Sequence, residues 1–336
     1  MQPPRRRYNE IALKQDNSGY TALREGAAIV DRSTVAAIQL TGNDRRSYLQ
    51  GLLTNDIVAL VPGTGCYAAM LTAQGRMITD MRVLELGDAV LVEVPAAVAP
   101  AIREHLDRFV FAEDVQVADV TATRVTVGLY GPKALEVLQR ARTEGSAPSR
   151  TNDVSRVRIA GREALLVRSD AVGPGYDVIV DAVDAGAIGE ALRSAGAGMA
   201  AAEDAEAVRI EHAYPLFGID MDTETIPLEA GLEERAISRS KGCYVGQEVI
   251  VRVQDRGQGR VAKRLVPLTF DASADVPAIG ARISSGDREI GRVTSAAFSP
   301  SLGRPIALGY VHRDFAEAGT HITVAGADAV VSRPLA

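Results

Sequence analysis

The chain is 336 residues long, 46% apolar and 24% charged, with a net charge of −6 at neutral pH. That length supports two or three domains with separate cores, and the composition is that of an ordinary soluble globular protein. The acidic balance argues against a general nucleic-acid coat, which would be basic, and no apolar run reaches the roughly 18–20 residues of a membrane-spanning helix.

In chain order, the N-terminal MQPPRRRYNE is basic, but no apolar stretch follows it. It does not read as a secretory signal, and a soluble cytoplasmic protein is expected. VAAIQL reads as a strand ending in a turn at Gly42-Asn43, and a short helix follows with Tyr48, Leu49, Leu52 and Leu53 on one face. CYAAMLT, MITDMRVLE and AVLVEV are three strands parted by turns at Ala73-Gln74-Gly75 and Gly87-Asp88. A helix near 96–109 then presents Val98, Ile102, Leu106 and Phe109 on one side.

The same grammar recurs later. VSRVRIA and EALLVRS form a hairpin around Gly161-Arg162, GYDVIVD adds a strand, and a helix covers 184–195. Two α+β modules with antiparallel sheets are therefore expected. After Val261 the chain turns into short strand-like runs broken by Gly, Pro, Asp and Ser, the pattern of a small β-barrel. The joint falls at Gln254–Arg260, which holds no apolar residue.

Between the second module and the barrel lies the most unusual run. It opens as a helix, EDAEAVRIEHA, and breaks at Tyr214-Pro215 into a long polar, Gly-punctuated stretch. Long irregular segments inside compact domains tend to be functional. Acids at Glu211, Asp220, Asp222, Glu224, Glu229, Glu233 and Glu234 precede a basic set that includes Arg235, Arg239, Lys241 and Arg252. The two cysteines, Cys66 and Cys243, are far apart and outside any CxxC or Cys/His cluster. Neither a disulfide framework nor a metal site is expected.

Three segments, RIEHAYPLFGIDMDTETIPLEAGL, KGCYVGQEVIVR and RGQGRVAKRLVPL, resemble the YgfZ family of folate-binding proteins, within the glycine-cleavage T-protein (aminomethyltransferase) superfamily. DRSTVAAIQLTGNDRRSYLQGLLTNDI, PGTGCYAAMLTAQGRMITD and LYGPKAL resemble the same superfamily, so the likeness covers nearly the whole chain. It implies an α+β fold: a three-domain ring, or cloverleaf, of two ferredoxin-like domains with mainly antiparallel sheets and a small C-terminal β-barrel. Residues 1–44 with 119–255 would form the first domain, 45–118 an inserted second domain, and 260–336 the barrel.

The resemblance also implies tetrahydrofolate, or a one-carbon derivative, as cofactor. A pterin presents a ring N–H beside an amino group, an edge that a carboxylate can match with two parallel hydrogen bonds. Glu211 is the candidate by resemblance, the plain alternative being a solvated helix carboxylate. Asp80 sits where T-proteins carry an acid near the reactive folate nitrogens; a second acid often precedes it there, and this chain has Thr79. Arg235, Arg239 and Arg252 are candidates for the carboxylates of the folate tail.

In KGCYVGQE, the glycines at 242 and 246 let a tight loop present Cys243, and Lys241 beside it would favour the reactive thiolate. Cys66, in a strand, reads as structural. His212, directly after Glu211, is the histidine to watch. One cysteine cannot hold an iron–sulfur cluster, which takes about four ligands.

The main functional expectation is a folate-binding accessory factor that supports assembly or repair of iron–sulfur enzymes. Iron–sulfur enzymes or assembly proteins, with tRNA-modifying enzymes as clients, would be its partners. The alternative is a folate-dependent aminomethyltransferase or demethylase. A third reading is a non-catalytic RNA- or protein-binding module using the basic 252–264 stretch, which the overall acidity disfavours.

Overall fold

The structure is a computed structural model describing residues 17–256 and 260–335. The basic N-terminal decapeptide and the glycines of the expected 254–260 joint fall outside the described residues.

The chain builds two mainly antiparallel sheets and a closed barrel. Helix α1 (Ser18–Glu25) leads into β1 (Ala28–Asp31), after which the backbone crosses to β2 (Val35–Thr41) in a different sheet. Helix α2 (Arg45–Leu52), β3 (Gly65–Leu71), β4 (Met77–Glu85), β5 (Val90–Pro95), α3 (Ala99–Arg108) and β6 (Gln116–Asp119) complete a five-stranded sheet ordered β3-β4-β5-β2-β6. The chain then returns through β7 (Arg124–Tyr130), α4 (Ala134–Ala141), β8 (Arg142–Glu144), β9 (Val154–Ile159), β10 (Arg162–Ser169), β11 (Gly175–Asp181), α5 (Ala185–Ser194) and β12 (Gly198–Met199). These give a seven-stranded sheet ordered β12-β1-β7-β11-β10-β9-β8. The sequence reading put residues up to 44 with this sheet. The pairing corrects that for β2, whose ladder bonds run to β5 and β6.

Helix α6 (Ala202–Glu211) follows, then a long irregular segment holding α7 (Glu233–Ala236) and α8 (Gln247–Val251). Strands β13 (Lys263–Phe270), β14 (Arg282–Ser285), β15 (Arg288–Ser299), β16 (Arg304–His312), β17 (His321–Val324) and β18 (Ala327–Val331) close a six-stranded barrel. Two α+β sheets plus an all-β C-terminal unit is the fold class read from the sequence.

Period-two alternation explains how β3 is buried on both faces. Ala68 and Met70 point into the core beneath α2 and α3, and Cys66 packs against that core. Tyr67, Ala69 and Leu71 point the other way and are covered by Met221, Leu228, Leu232, Ile237 and Tyr244 of the irregular segment. That segment therefore forms the second layer of this sheet, at roughly 1.5–3 kcal/mol per large apolar side chain buried. The two sheets meet through Ala37, Leu84, Leu91, Val154, Leu165, Val167 and Ile179.

A polar knot helps join the barrel to α6. Arg209, 2% exposed, donates to Glu206 (2.8 and 2.6 Å), Asp220 (2.7 Å) and Ser295 (2.7 Å). Asp220 in turn accepts from Thr294 (2.5 Å) and Ser295 (2.7 Å). Neighbours in a strand normally point to opposite faces, yet both hydroxyls reach one carboxylate oxygen. A bulge between Val293 and Ser295 makes this possible.

Candidate functional site

A cavity of about 610 Å³ opens between the two sheets, α6 and the turn that follows it. Its walls come from the β1–β2 crossover, the middle of β4, the end of β5, the β10–β11 turn, the first two turns of α6, and Tyr214–Ile219. None of the lining residues belongs to the barrel among the described residues. Two sheets, a helix and the turn after it make the walls, and the barrel braces the helix from behind.

Strand register delivers the polar groups. Asp80 lies opposite Ala69, and Arg82 lies between Tyr67 on β3 and Glu93 on β5, so these side chains share a face. Asp80 is 8% exposed, and Tyr67 donates its hydroxyl to Oδ2 at 2.5 Å. Burial pushes the Asp80 carboxyl up to about 6, against the opposing pull of the Tyr67 hydrogen bond and the Arg235 charge. Arg235 stacks over Tyr214 at 4.1 Å and Tyr67 at 5.0 Å, and approaches Asp170 at 3.8 Å.

Deeper lies a charged network that ties the sheets together. Arg82 reaches Glu93 through Nε (2.6 Å) and Asp177 through Nη2 (2.7 Å). Asp177 also accepts from Tyr130 (2.7 Å), whose hydroxyl meets Ser169 (2.9 Å). Arg32 approaches the same carboxylate at 3.5 Å through Nε. Gly128 makes room here, since a Cβ on it would lie 2.6 Å from the Tyr130 ring and 3.1 Å from Cγ of Arg32.

Of the residues singled out in the sequence, Asp80 lines this cavity, and Arg235, outside the lining, stacks on two residues that do line it, Tyr67 and Tyr214. Glu211 is elsewhere. Its carboxylate accepts from Tyr20 (2.6 Å) and Ser299 (2.5 Å) and faces Arg24 at 3.5 Å, at the joint of α1, α6 and the barrel. The acid of α6 that lines the cavity is Glu206. Five residues separate the two, about 140° around the helix, so they cannot share a face.

Lys241 also departs from expectation. Its ammonium turns away from the solvent and donates to the Gln50 carbonyl (2.6 Å) and the Leu53 carbonyl at the C-terminal end of α2, satisfying carbonyls that a helix end leaves unpaired. Burial lowers the Lys241 ammonium to about 8. It cannot at once hold those carbonyls and serve as a counter-ion for Cys243. Cys243 itself is exposed and lies outside the cavity lining, while Tyr244 beside it is buried. Cys66 is pushed up to about 12 by burial, as a packed thiol should be.

Arg239 and Arg252 are exposed and paired to Glu234 (3.0 Å) and Glu248 (3.1 Å), away from the cavity lining. His212 is half-buried, and burial lowers its pKa. Sequence reasoning missed Tyr67, Arg82 and Glu206. The first two had a signal, because strand alternation and the neighbouring Asp80 put them on one face; Glu206 had only its i, i+3 spacing from Arg209.

The two-sheet body with its C-terminal barrel is the architecture of the glycine cleavage T-protein. The GCVT N-terminal domain model matches residues 6–241, and the glycine cleavage T-protein C-terminal barrel domain model matches residues 263–334. The chain belongs to this family. Relatives named aminomethyltransferase include those of Rubrobacter xylanophilus (30% identical over 301 residues, 87% of this chain and 78% of the relative) and Nostoc sp. (29% over 316 residues, 91% and 82%). The aminomethyltransferase T of the Bartonella henselae glycine cleavage system superposes with a TM-score of 0.83 at 22% identity, covering 94% of this chain and 87% of that one. That likeness is one of fold.

Proposed function

We propose that the chain binds tetrahydrofolate, or a one-carbon derivative of it, in the cavity between the two sheets and carries out one-carbon transfer of the aminomethyltransferase type. The observation that supports this reading is Asp80, a carboxylate held in a mostly apolar cavity with its pKa raised to about 6. Such a group ionises just below neutral pH and is matched to proton transfer there. The reading agrees with the name shared by the relatives, aminomethyltransferase.

The residues present suit the ligand. Glu206 keeps 34% of its side chain exposed; Arg209 pairs with both its oxygens, but a carboxylate retains further lone pairs for a pterin's N–H edge. Val30, Val94, Val172 and Phe217 offer apolar surface to flat rings. Bound tetrahydrofolate would supply the nitrogen nucleophiles that carry the one-carbon unit. Asp80 takes up or returns the proton at Oδ1, while Tyr67 fixes Oδ2. Arg235, stacked on both tyrosines, holds Tyr67 and Tyr214 in place.

Calorimetry with tetrahydrofolate tests binding, and transfer from an aminomethyl-loaded lipoyl carrier tests turnover. Asp80→Asn should bind within a few-fold of the parent and lose about 10²–10⁴ in rate. Wild-type protein that takes up no tetrahydrofolate would end the reading.

A second reading, the YgfZ-type accessory factor for iron–sulfur enzymes and their tRNA-modifying members, draws support from Cys243. Buried Lys241 and Tyr244 anchor its loop, and the Val245 N–H donates to the Gly51 carbonyl (3.2 Å), leaving the thiol exposed. Among the described residues no group of three or more His, Cys, Asp and Glu side chains could hold a metal ion, so a client would have to bring the cluster's other ligands. Cys243→Ala should then bind folate normally while iron–sulfur enzyme activities in cells decline; unchanged activities would dismiss this role.

A further inference from the structure

Arg32 stands apart from the other arginines of the cavity wall. Arg82 hydrogen-bonds Glu93 and contacts Asp177 at 2.7 Å, and Arg209 is held by Glu206, Asp220 and Ser295. The Arg32 guanidinium donates no hydrogen bond among the described residues. Its one ionic approach is 3.5 Å, from Nε to Asp177, a carboxylate already engaged by Arg82 and Tyr130. Nε is shut off from solvent without a hydrogen-bond partner, and the side chain as a whole keeps 15% exposure at the cavity wall.

A guanidinium always carries its charge and presents five donors in a planar fork. Leaving such donors without acceptors in a partly dry wall is costly, and the observed remedy for buried polar groups is a hydrogen-bonding partner. Nε is shut in beside Asp177, so the donors left for a ligand are the Nη groups, which donate to no protein partner among the described residues and belong to a side chain exposed at the cavity wall. The fork's shape matches a planar, two-oxygen acceptor better than a single carbonyl.

We propose that Arg32 forms a carboxylate subsite inside the cavity, an inference resting on the cavity being the ligand site proposed above. The wall is then polar in opposite senses at different places. Glu206, Asp80 and Asp170 meet the N–H-rich or basic part of the ligand, and Arg32 meets its acid. Two ligands carry that acid: the folate, through the carboxylates of its glutamyl tail, and an amino-acid co-substrate, through its α-carboxylate. The recognition chemistry is the same for both.

Titration calorimetry of the full-length protein with three probes separates the sources. Monoglutamyl tetrahydrofolate carries pterin and carboxylate, tetrahydrobiopterin a pterin without the acid, and glycine the acid without a pterin. Arg32→Gln should weaken one carboxylate probe by about tenfold to a hundredfold, the scale of a hydrogen bond to a charged group, and leave tetrahydrobiopterin within about twofold. Loss confined to tetrahydrofolate assigns the subsite to the glutamyl tail; loss confined to glycine assigns it to an amino-acid co-substrate.

Arg32→Lys, which keeps the charge without the fork, should recover only part of the affinity, and it serves in place of Arg32→Gln if that variant does not fold. The proposal is overturned if both carboxylate probes bind the variant as they bind the parent, if tetrahydrobiopterin weakens as much as they do, or if the parent binds neither carboxylate. A parent that binds glycine through Arg32 but no pterin would instead remove the folate reading and keep the subsite.

Discussion

Asp80→Asn separates the stability of this protein from its activity. The carboxyl has an ordinary value of 3.8 and is held at about 6 in the fold, with burial as the largest cause. Below pH 3.8 it is protonated whether the chain is folded or not and costs nothing. Between 3.8 and about 6 the unfolded chain gives up the proton while the folded one keeps it, so stability falls as pH rises. Above 6 the loss is complete, and the gap is worth about 3 kcal/mol. Asparagine removes the ionisation and keeps an oxygen for the Tyr67 hydroxyl. The variant should therefore match the parent at pH 3.5–4 and exceed it by up to about 3 kcal/mol at pH 7.5, while transfer is lost. Urea unfolding curves at a series of pH values read this difference. Equal stability at both ends, or a parent that gains on the variant as pH rises, would refute the argument that the carboxylate is ionised against its surroundings.

Three further substitutions test the supporting structure. Lys241→Met removes both donors from the end of α2 and should destabilise by about 1–3 kcal/mol in urea, without changing calorimetric affinity for tetrahydrofolate; loss of affinity at full stability would restore Lys241 to the site. Arg209→Met leaves Glu206 and Asp220 without their shared cation, which should cost about 3–5 kcal/mol and expose the α6–barrel joint to limited proteolysis. Gly246 has φ +84°, and a Cβ on it would sit 2.5 Å from the Thr72 carbonyl; Gly246→Ala should therefore release the Cys243 loop, read as faster alkylation of that thiol by iodoacetamide.

How far the sequence carried can be judged residue by residue. Strand alternation located β3, β4 and β5, and the Gly- and Pro-broken runs after Val261 are the strands of the barrel. These patterns are local. What covers the second face of β3 was not legible, because that layer is supplied by residues 221–244, about 150 positions later. The existence of α6 was equally plain, but its facing was not. Apolar residues surround Val208 and Ile210, so periodicity alone could not say whether Glu206 or Glu211 looks into the cavity. Exposure of Cys243 followed from its Lys, Gly and Gln company. The destination of the Lys241 ammonium did not, since its acceptors Gln50 and Leu53 lie some 190 residues earlier.

The extra residue in β15 has a reach beyond its own strand. Thr294 and Ser295 grip Asp220, Asp220 holds Arg209, and Arg209 orients Glu206, so five side chains link the barrel to a cavity wall to which it contributes no residue among the described residues. Deleting that residue would restore a regular ladder and break the relay at its first link. A lesion in the C-terminal unit would then be recorded, in any screen scored by ligand uptake, as damage to the cavity between the sheets.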